Sequence, residues 1–104
     1  MKLTDLEPKW VSPDVFTFLC PHCRTEHLLC KKIALSFKEQ AKLINGYLNR
    51  TPEEEDDWPI NFVPMKDSAC WSVTGDFDVM TVTPSIDASA SGHWHGFITN
   101  GEIR

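Results

Sequence analysis

Apolar and polar positions alternate through the last third of the chain, residues 70–104, and this pattern predicts two β-hairpins joined by a loop of small residues. Residues 74–76, Thr-Gly-Asp, are a turn signal between the apolar runs 70–73 and 77–83. Asn100-Gly101 favours the tight turn of the last hairpin. The chain is therefore expected to end in antiparallel sheet.

A proline and two histidines border the loop between these hairpins. Because proline has no amide hydrogen, Pro84 is expected to stop its strand from pairing further and to leave Ser85 where the chain turns out of the sheet. His93 and His95 are two positions apart in a strand-like segment, so alternation places both imidazoles on one face and Trp94 on the other. The pair can supply two metal ligands, or one general base with a neighbour.

The front of the chain predicts a strand followed by a cysteine knuckle. Residues 15–19 are β-branched and aromatic, as strands favour, and they run directly into Cys20-Pro21-His22-Cys23. Residues 25–30 are typical of a return strand. Together they predict a hairpin with a tight C-P-x-C tip.

The middle of the chain predicts a helix and then an acidic loop. Ser36 and Glu39 have capping-box spacing, and apolar residues recur at helical spacing over 37–49. Five consecutive carboxylates at 53–57 are typical of a solvated loop.

Composition limits the class of protein. A chain of 104 residues that is 41% hydrophobic and 11% aromatic predicts a single globular domain, residues 1–104. Its apolar runs are far shorter than the roughly 20 residues that span a bilayer. The first residues also lack the pattern of a secretory signal. We therefore expect a soluble, cytoplasmic protein.

Charge and cysteine content limit which molecules and ions the protein is expected to bind. The formal charge of −5 is divided into +3 over residues 1–50 and −8 over residues 51–104. Nucleic-acid binding is disfavoured, because neutralising phosphates requires a dense basic face. Four cysteines in a chain without a secretory signal are better interpreted as metal ligands and buried thiols than as disulfides.

The C-P-x-C motif is the most specific chemical signal. Two thiolates on a knuckle, Cys20 and Cys23, can both reach one tetrahedral ion, and zinc suits such ligands. A redox dithiol is disfavoured because a strand, and not a helix N-terminus, follows the motif. Candidates for further ligands are His27, Cys30, Cys70, His93 and His95. A Cys2His2 site that used both His93 and His95 would compete with catalysis.

The second constellation combines Ser85 with His93 or His95. A serine becomes a useful nucleophile only when a nearby base takes its proton, and such pairs are recognised by geometry rather than by sequence order. A carboxylate that orients the histidine has three candidates in this region. They are Asp76, Asp78 and Asp87.

Taken together, F-x-C-P-x-C, T-V-T-P-S-I and H-W-H-G-F-I-T-N-G-E-I resemble a small domain family of bacterial ubiquitin-like (Bub-type) operons and phage genomes. The resemblance covers roughly residues 15–33 and 70–104, so the helix and acidic loop between them, about residues 36–58, look like an insertion outside it. Phage members are often labelled ammonia monooxygenase, but this chain has too few histidine and carboxylate ligands for that activity.

The resemblance implies a zinc-containing serine peptidase that trims or releases a ubiquitin-like protein. Ser85 matches the serine of the family's P-S-I motif, and His95 matches the histidine before its final hairpin. Cys20 and Cys23 match its metal-binding cysteines. The family often has a cysteine close to the position of His93, so we expect His93 to replace it as a zinc ligand while Ser85 and His95 remain free for chemistry.

These patterns predict a small α+β protein, mostly antiparallel sheet, with a zinc-knuckle hairpin and one inserted helix. The leading function is a zinc-stabilised serine hydrolase of the peptidase type that acts on a protein or peptide substrate. The alternative is a non-catalytic zinc-binding interaction module, such as a phage accessory protein that has kept the scaffold and lost the activity.

Overall fold

The computed structural model describes residues 1–49, 58–59 and 61–104, which form one α-helix and two four-stranded sheets. The strands are β1 (Lys9–Ser12), β2 (Val15–Leu19), β3 (His27–Lys31), β4 (Phe62–Val63), β5 (Ser72–Thr74), β6 (Thr81–Asp87), β7 (His95–Thr99) and β8 (Glu102–Ile103). Helix α1 (Phe37–Tyr47) lies between β3 and β4 in the chain, and 3-10 turns occupy Leu3–Leu6 and Ser89–Ser91. The predicted α+β class with mostly antiparallel pairing is confirmed. The acidic run 53–57 lies outside the described residues.

Each sheet is built from a different part of the chain. The first has the order β1-β2-β3-β4 and is antiparallel except for the parallel pair β3–β4. The second has the order β5-β6-β7-β8 and is antiparallel throughout. Asn100 and Gly101 both have positive φ, as a two-residue hairpin turn requires, and they join β7 to β8 as predicted.

The front hairpin forms where the sequence predicts it. Strand β2 spans the predicted residues 15–19, and its return partner β3 begins two residues later than predicted, at His27. Both strands are almost fully buried, which fits their largely apolar sequences. The C-P-x-C motif forms the turn between them.

Helix α1 begins at its predicted cap and ends two residues early. Ser36 Oγ accepts the Glu39 backbone N–H at 3.1 Å, and the Glu39 carboxylate accepts the Ser36 backbone N–H at 3.1 Å. This reciprocal pair is the predicted capping box. The helix ends at Tyr47 and not at Asn49, because Asn49 adopts a positive φ of 55° that no helix can continue.

The prediction for Pro84 is wrong in one respect. Strand β6 begins at Thr81 and continues through Pro84 to Asp87, so Ser85 lies within the strand and not at its exit. Pairing with β5 does stop at Thr83, but β6 remains paired with β7 across an irregularity between Val82 and Ile86. The proline occupies this irregularity, where its missing amide hydrogen breaks no ladder bond.

The two sheets share one hydrophobic core. Phe18 of the first sheet meets Trp94, just before β7, edge to face at a centroid distance of 6.0 Å. Phe16 meets Phe77, in the connection between β5 and β6, at 5.7 Å. This packing brings the end of β2 close to the start of β7. No helix among the described residues is long and apolar enough to cross a membrane.

Candidate active site and metal centre

Ser85 and His95 lie on neighbouring strands with their side chains close together. In the pairing of β6 with β7, Asp87 is opposite His95 and Ile86 is opposite Gly96. Ile86 and Gly96 are buried, whereas Ser85 and His95 belong to the opposite, more accessible face. The His95 Nε2 atom is 3.4 Å from the Ser85 hydroxyl oxygen. A pair at this distance needs only a small approach to pass a proton, because catalytic hydrogen bonds are often long before substrate binds.

A groove of about 310 Å³ runs beside Ser85. It opens because β5 pairs with β6 only as far as Ser72 opposite Thr83, after which the two segments diverge. Pro84, Ser85 and Asp87 contribute to one side, and the segment 65–71 contributes to the other. The Trp71 indole Nε1–H donates to the Ser85 carbonyl oxygen at 3.2 Å and ties the two sides together.

Two buried polar side chains hold the far wall of this groove. Gln40, on helix α1, donates to the Met65 carbonyl at 2.8 Å and accepts the Met65 backbone N–H at 3.0 Å. The Lys31 ammonium donates to the carbonyls of Lys66 at 2.7 Å and Leu35 at 3.1 Å. The wall is therefore positioned by side chains where it has no strand partner.

Cys20, Cys23 and His93 form a cluster at the tip of the front hairpin. Their ligand atoms all lie within 4.8 Å of one another, and Cys23 Sγ is 3.8 Å from His93 Nδ1. Local backbone contacts shape the knuckle: the Cys20 N–H donates to the Glu26 carbonyl, and the Arg24 N–H donates to the Cys20 carbonyl. These three residues can bind a metal ion.

The surroundings of the cluster fit metal binding. Hydrogen bonds from Thr25, first its backbone and then its side chain, lower the pKa of the Cys23 thiol to about 6, so the thiolate prevails at neutral pH. His93 Nε2 lies 2.7 Å from a Glu26 carboxylate oxygen, which leaves Nδ1 facing Cys23. A carboxylate behind the far nitrogen is the usual support of a metal-binding histidine.

The other candidate ligands lie elsewhere. Cys30 is fully buried among apolar side chains, and burial raises the pKa of its thiol. The His27 ring stacks on Phe62 at 4.9 Å, and burial lowers the pKa of this imidazole. Cys70 lines the groove. Among the described residues the metal-ligand group contains none of these three, and it does not contain His95.

The three carboxylates considered as partners of the histidine lie in different parts of the structure. Asp87 lies directly opposite His95, and its Oδ1 accepts both the backbone N–H of Ser89 at 2.9 Å and the Ser89 hydroxyl. Asp76 lines a different groove, beside Trp10. Asp78 lies in the connection between β5 and β6, with its carbonyl against Gly101.

Sequence reasoning missed the residues that support both clusters. Thr25 and Glu26 lie just after the knuckle, but a single C-x-x-C motif does not indicate that Thr25 bonds Cys23 or that Glu26 faces a histidine 67 positions away. Trp71 and Gln40 have ordinary core and helix positions in the sequence pattern. Only the folded structure shows that their polar side-chain atoms bond the backbone of the residues that line the groove.

The fold and site define a class: a small α+β domain that carries a candidate Cys/His metal centre and, on an adjacent strand pair, a serine–histidine pair beside a groove. A family model described as "Bacterial ubiquitination-like system serine protease (BubE)" matches residues 51–104, more than half of the chain, and the chain belongs to this family. No curated protein and no solved structure matches the chain significantly.

The family match confirms the resemblance to the Bub-type family, but it covers a different range of residues from the resemblance. It begins at residue 51, inside the segment 36–58 that was predicted as an insertion, and it includes Ser85, His93 and His95. It does not extend over residues 15–33, which contain the cysteine knuckle.

Proposed function

We propose that this protein is a zinc-stabilised serine peptidase that acts on a ubiquitin-like protein or its conjugates. The observation that carries the proposal is the approach of Ser85 Oγ to His95 Nε2 at 3.4 Å, beside a groove and outside the metal-ligand group. The family description, a serine protease of a bacterial ubiquitination-like system, supports the same reaction class.

Ser85 is the nucleophile and His95 the general base. As Ser85 Oγ forms a bond to the substrate carbonyl carbon, its proton moves to His95 Nε2. His95 then returns that proton to the leaving amine nitrogen as the carbon–nitrogen bond breaks, which leaves an acyl group on Ser85. Water hydrolyses the ester by the same proton transfers in reverse order and releases the carboxylic acid.

The groove supports a substrate that binds as an extended chain. It is open along the edge of β6 from Pro84 to Asp87, where β5 no longer pairs. A volume of about 310 Å³ is at the lower end of the range for small-ligand sites, so it accommodates a few residues of a slender segment. The terminal segment of a folded protein fits this description better than a bulky small molecule.

Zinc is held by Cys20, Cys23 and His93 in this proposal. Two thiolates and an imidazole are the ligand types that zinc prefers, and a bound zinc supplies structural cross-linking. It joins the front hairpin to the residue that leads into β7, two positions before His95. The centre thereby contributes to positioning the strand that carries the general base.

The proposal is tested by labelling with a fluorophosphonate probe and by metal analysis of the purified protein. We expect wild type to contain about one zinc and to be labelled at Ser85, as located by mass spectrometry. Ser85→Ala and His95→Ala should lose labelling and keep zinc, whereas His93→Ala should lose zinc. The control Ser72→Ala alters an exposed serine of the neighbouring strand and should be labelled normally.

Two experimental outcomes would overturn the proposal that the protein is a serine peptidase. If wild type with its metal is not labelled at Ser85, the interaction module becomes the better account of the chain. If His95→Ala loses zinc, His95 is a ligand and is not free to act as a base.

A further inference from the structure

The pairing of β6 with β7 places three polar side chains on one face. Ser85 and Asp87 are two positions apart in β6, so they point to the same side. His95 of β7 is the direct cross-strand partner of Asp87, and partners in a sheet also share a face. The imidazole thus has the Ser85 hydroxyl on its diagonal, and the strand position directly across from it carries the Asp87 carboxylate.

One nitrogen of the His95 ring faces Ser85, and the other nitrogen is free to bond a second group. Nε2 is the atom 3.4 Å from Ser85 Oγ, which leaves Nδ1 as the second site on the ring. For Nε2 to accept the serine proton it must be unprotonated, so the neutral ring must carry its hydrogen on Nδ1. An acceptor for that hydrogen would hold the ring in the reactive tautomer.

The Asp87 carboxylate has the charge and the free oxygen that such an acceptor requires. Both hydrogen bonds from Ser89 go to Oδ1, and Oδ2 bonds no described residue, His95 included. A turn of the His95 ring or of the Asp87 carboxyl group is therefore needed to bring Oδ2 to Nδ1. The Ser89 side-chain and backbone hydrogen bonds lower the pKa of the Asp87 carboxyl, and the charges of His95 and Lys66 act in the same direction. The carboxylate is therefore ionised, anchored on one oxygen and available on the other.

The remaining candidates do not share this position. Asp76 lines the separate groove beside Trp10 and Lys32, and Asp78 lies in the connection that precedes β6. Neither is a cross-strand partner of His95.

We propose that Asp87 is a positioning residue that accepts a hydrogen bond from His95 Nδ1–H through its Oδ2 and thereby keeps Nε2 free to take the Ser85 proton. Ser89 has a supporting role, because it holds the carboxylate by Oδ1. This inference rests on the proposed function of Ser85 and His95 and adds the third member of the site.

The direct test is the tautomer of His95 in the full-length, zinc-loaded protein. Nitrogen-15 spectra of the histidine rings, recorded where the imidazole is neutral and assigned with His95→Ala, distinguish Nδ1–H from Nε2–H. We expect the Nδ1–H tautomer in wild type. An Nε2–H ring in wild type would overturn the proposal without any variant being needed.

Asp87→Asn provides the second test, because an amide oxygen can still accept both Ser89 hydrogen bonds while the charge is lost. We expect His95 to shift toward Nε2–H and the rate of fluorophosphonate labelling at Ser85 to fall by about 10²- to 10⁴-fold, the usual contribution of an oriented general base. Matched controls are Asp76→Asn and Asp78→Asn, which should label at the wild-type rate.

The outcomes separate this proposal from the one on which it rests. If Asp87→Asn keeps the wild-type tautomer and labelling rate, Asp87 serves only the turn with Ser89 and the proposal is wrong, while Ser85 and His95 retain their roles. If wild type is not labelled at all, the peptidase fails, and the tautomer still decides whether Asp87 orients His95.

Discussion

At the scale of single residues, Cys23 and Cys30 show how environment separates two chemically identical thiols. Cys23 is exposed at the tip of a knuckle, where Thr25 stabilises its thiolate and lowers its pKa to about 6. Cys30 is fully buried in the core, and loss of hydration raises its pKa. Only the first is prepared to bind a metal ion.

This difference predicts a pH profile for alkylation of the metal-free protein. The thiolate is the reactive form, so carboxymethylation of Cys23 by iodoacetate should rise with pH around a midpoint of about 6 and level off above it. Cys30 should remain unmodified until the protein unfolds. Peptide-resolved mass spectrometry distinguishes the two sites, and a midpoint for Cys23 near 8.5, the ordinary value, would contradict the prediction.

Glu26 carries a second prediction at this scale. Its carboxylate holds His93 by Nε2 at 2.7 Å, so Glu26→Ala should weaken zinc binding by about 10- to 100-fold in a competition titration with a chromogenic chelator. Glu26→Gln keeps an acceptor and should lose less. Glu102→Gln, a change to an exposed carboxylate near the C-terminus, is the matched control. Equal affinities for all the variants would show that Glu26 does not support the centre.

At the scale of elements, helix α1 is connected to the groove more directly than its place between β3 and β4 suggests. Gln40 is fully buried and bonds both polar groups of the Met65 backbone. Lys31, at the end of β3, caps the carbonyl of the next residue along the wall, Lys66. The groove wall is thus fixed by a helix and a strand from the first sheet.

Gln40→Ala should therefore destabilise the protein and loosen the groove. It leaves the Met65 N–H and C=O without their partners, which costs about 1–3 kcal/mol of unfolding free energy for each buried group left unsatisfied. Urea denaturation followed by tryptophan fluorescence measures the loss. Lys42→Ala, at an exposed position of the same helix, should change stability by less than about 0.5 kcal/mol. Similar effects of both changes would contradict this account of the wall.

At the scale of the whole molecule, the group Cys20, Cys23 and His93 brings together two parts of the chain that are far apart in sequence. Cys23 and His93 are separated by 70 positions, and their contact lies beside the packing of Phe18 on Trp94. A metal ion bound by this group would cross-link a long loop and contribute folding energy to a domain of 104 residues.

If the protein binds zinc as proposed, removal of the metal with a chelator should lower the thermal midpoint, measured by circular dichroism, by several degrees or more. It should also slow labelling of Ser85, because His95 follows the released His93 by two positions. Cys20→Ser, which removes one ligand, should show little further change when chelator is added. An unchanged midpoint after complete loss of zinc would argue against a structural role for the metal.

The local patterns were the most informative part of the sequence. β-Branched and aromatic residues predicted β2, alternation predicted the final hairpins, and Ser36 with Glu39 predicted the start of α1, because these signals depend on neighbouring residues alone. The turn predicted at 74–76 was wrong in its bounds, since β5 includes Thr74 and β6 begins only at Thr81. The continuation of β6 past Pro84 was not predictable in this way, since it depends on an irregular pairing with β7. The end of α1 lies two residues before the bound drawn from apolar spacing, because Asn49 adopts the left-handed backbone that asparagine, like glycine, favours after a helix.

What the amino-acid sequence determined by itself is the set of reactive groups and the elements that carry them: a C-P-x-C knuckle, a serine after proline, and two histidines before the last hairpin. Only the tertiary structure decided how these groups are shared, with His93 beside Cys20, Cys23 and Glu26, and His95 beside Ser85 and opposite Asp87. The physical reason is that ligand and hydrogen-bond geometry depends on distances of a few ångströms between strands. Those distances are fixed by core packing and sheet register, which residue spacing along the chain does not specify.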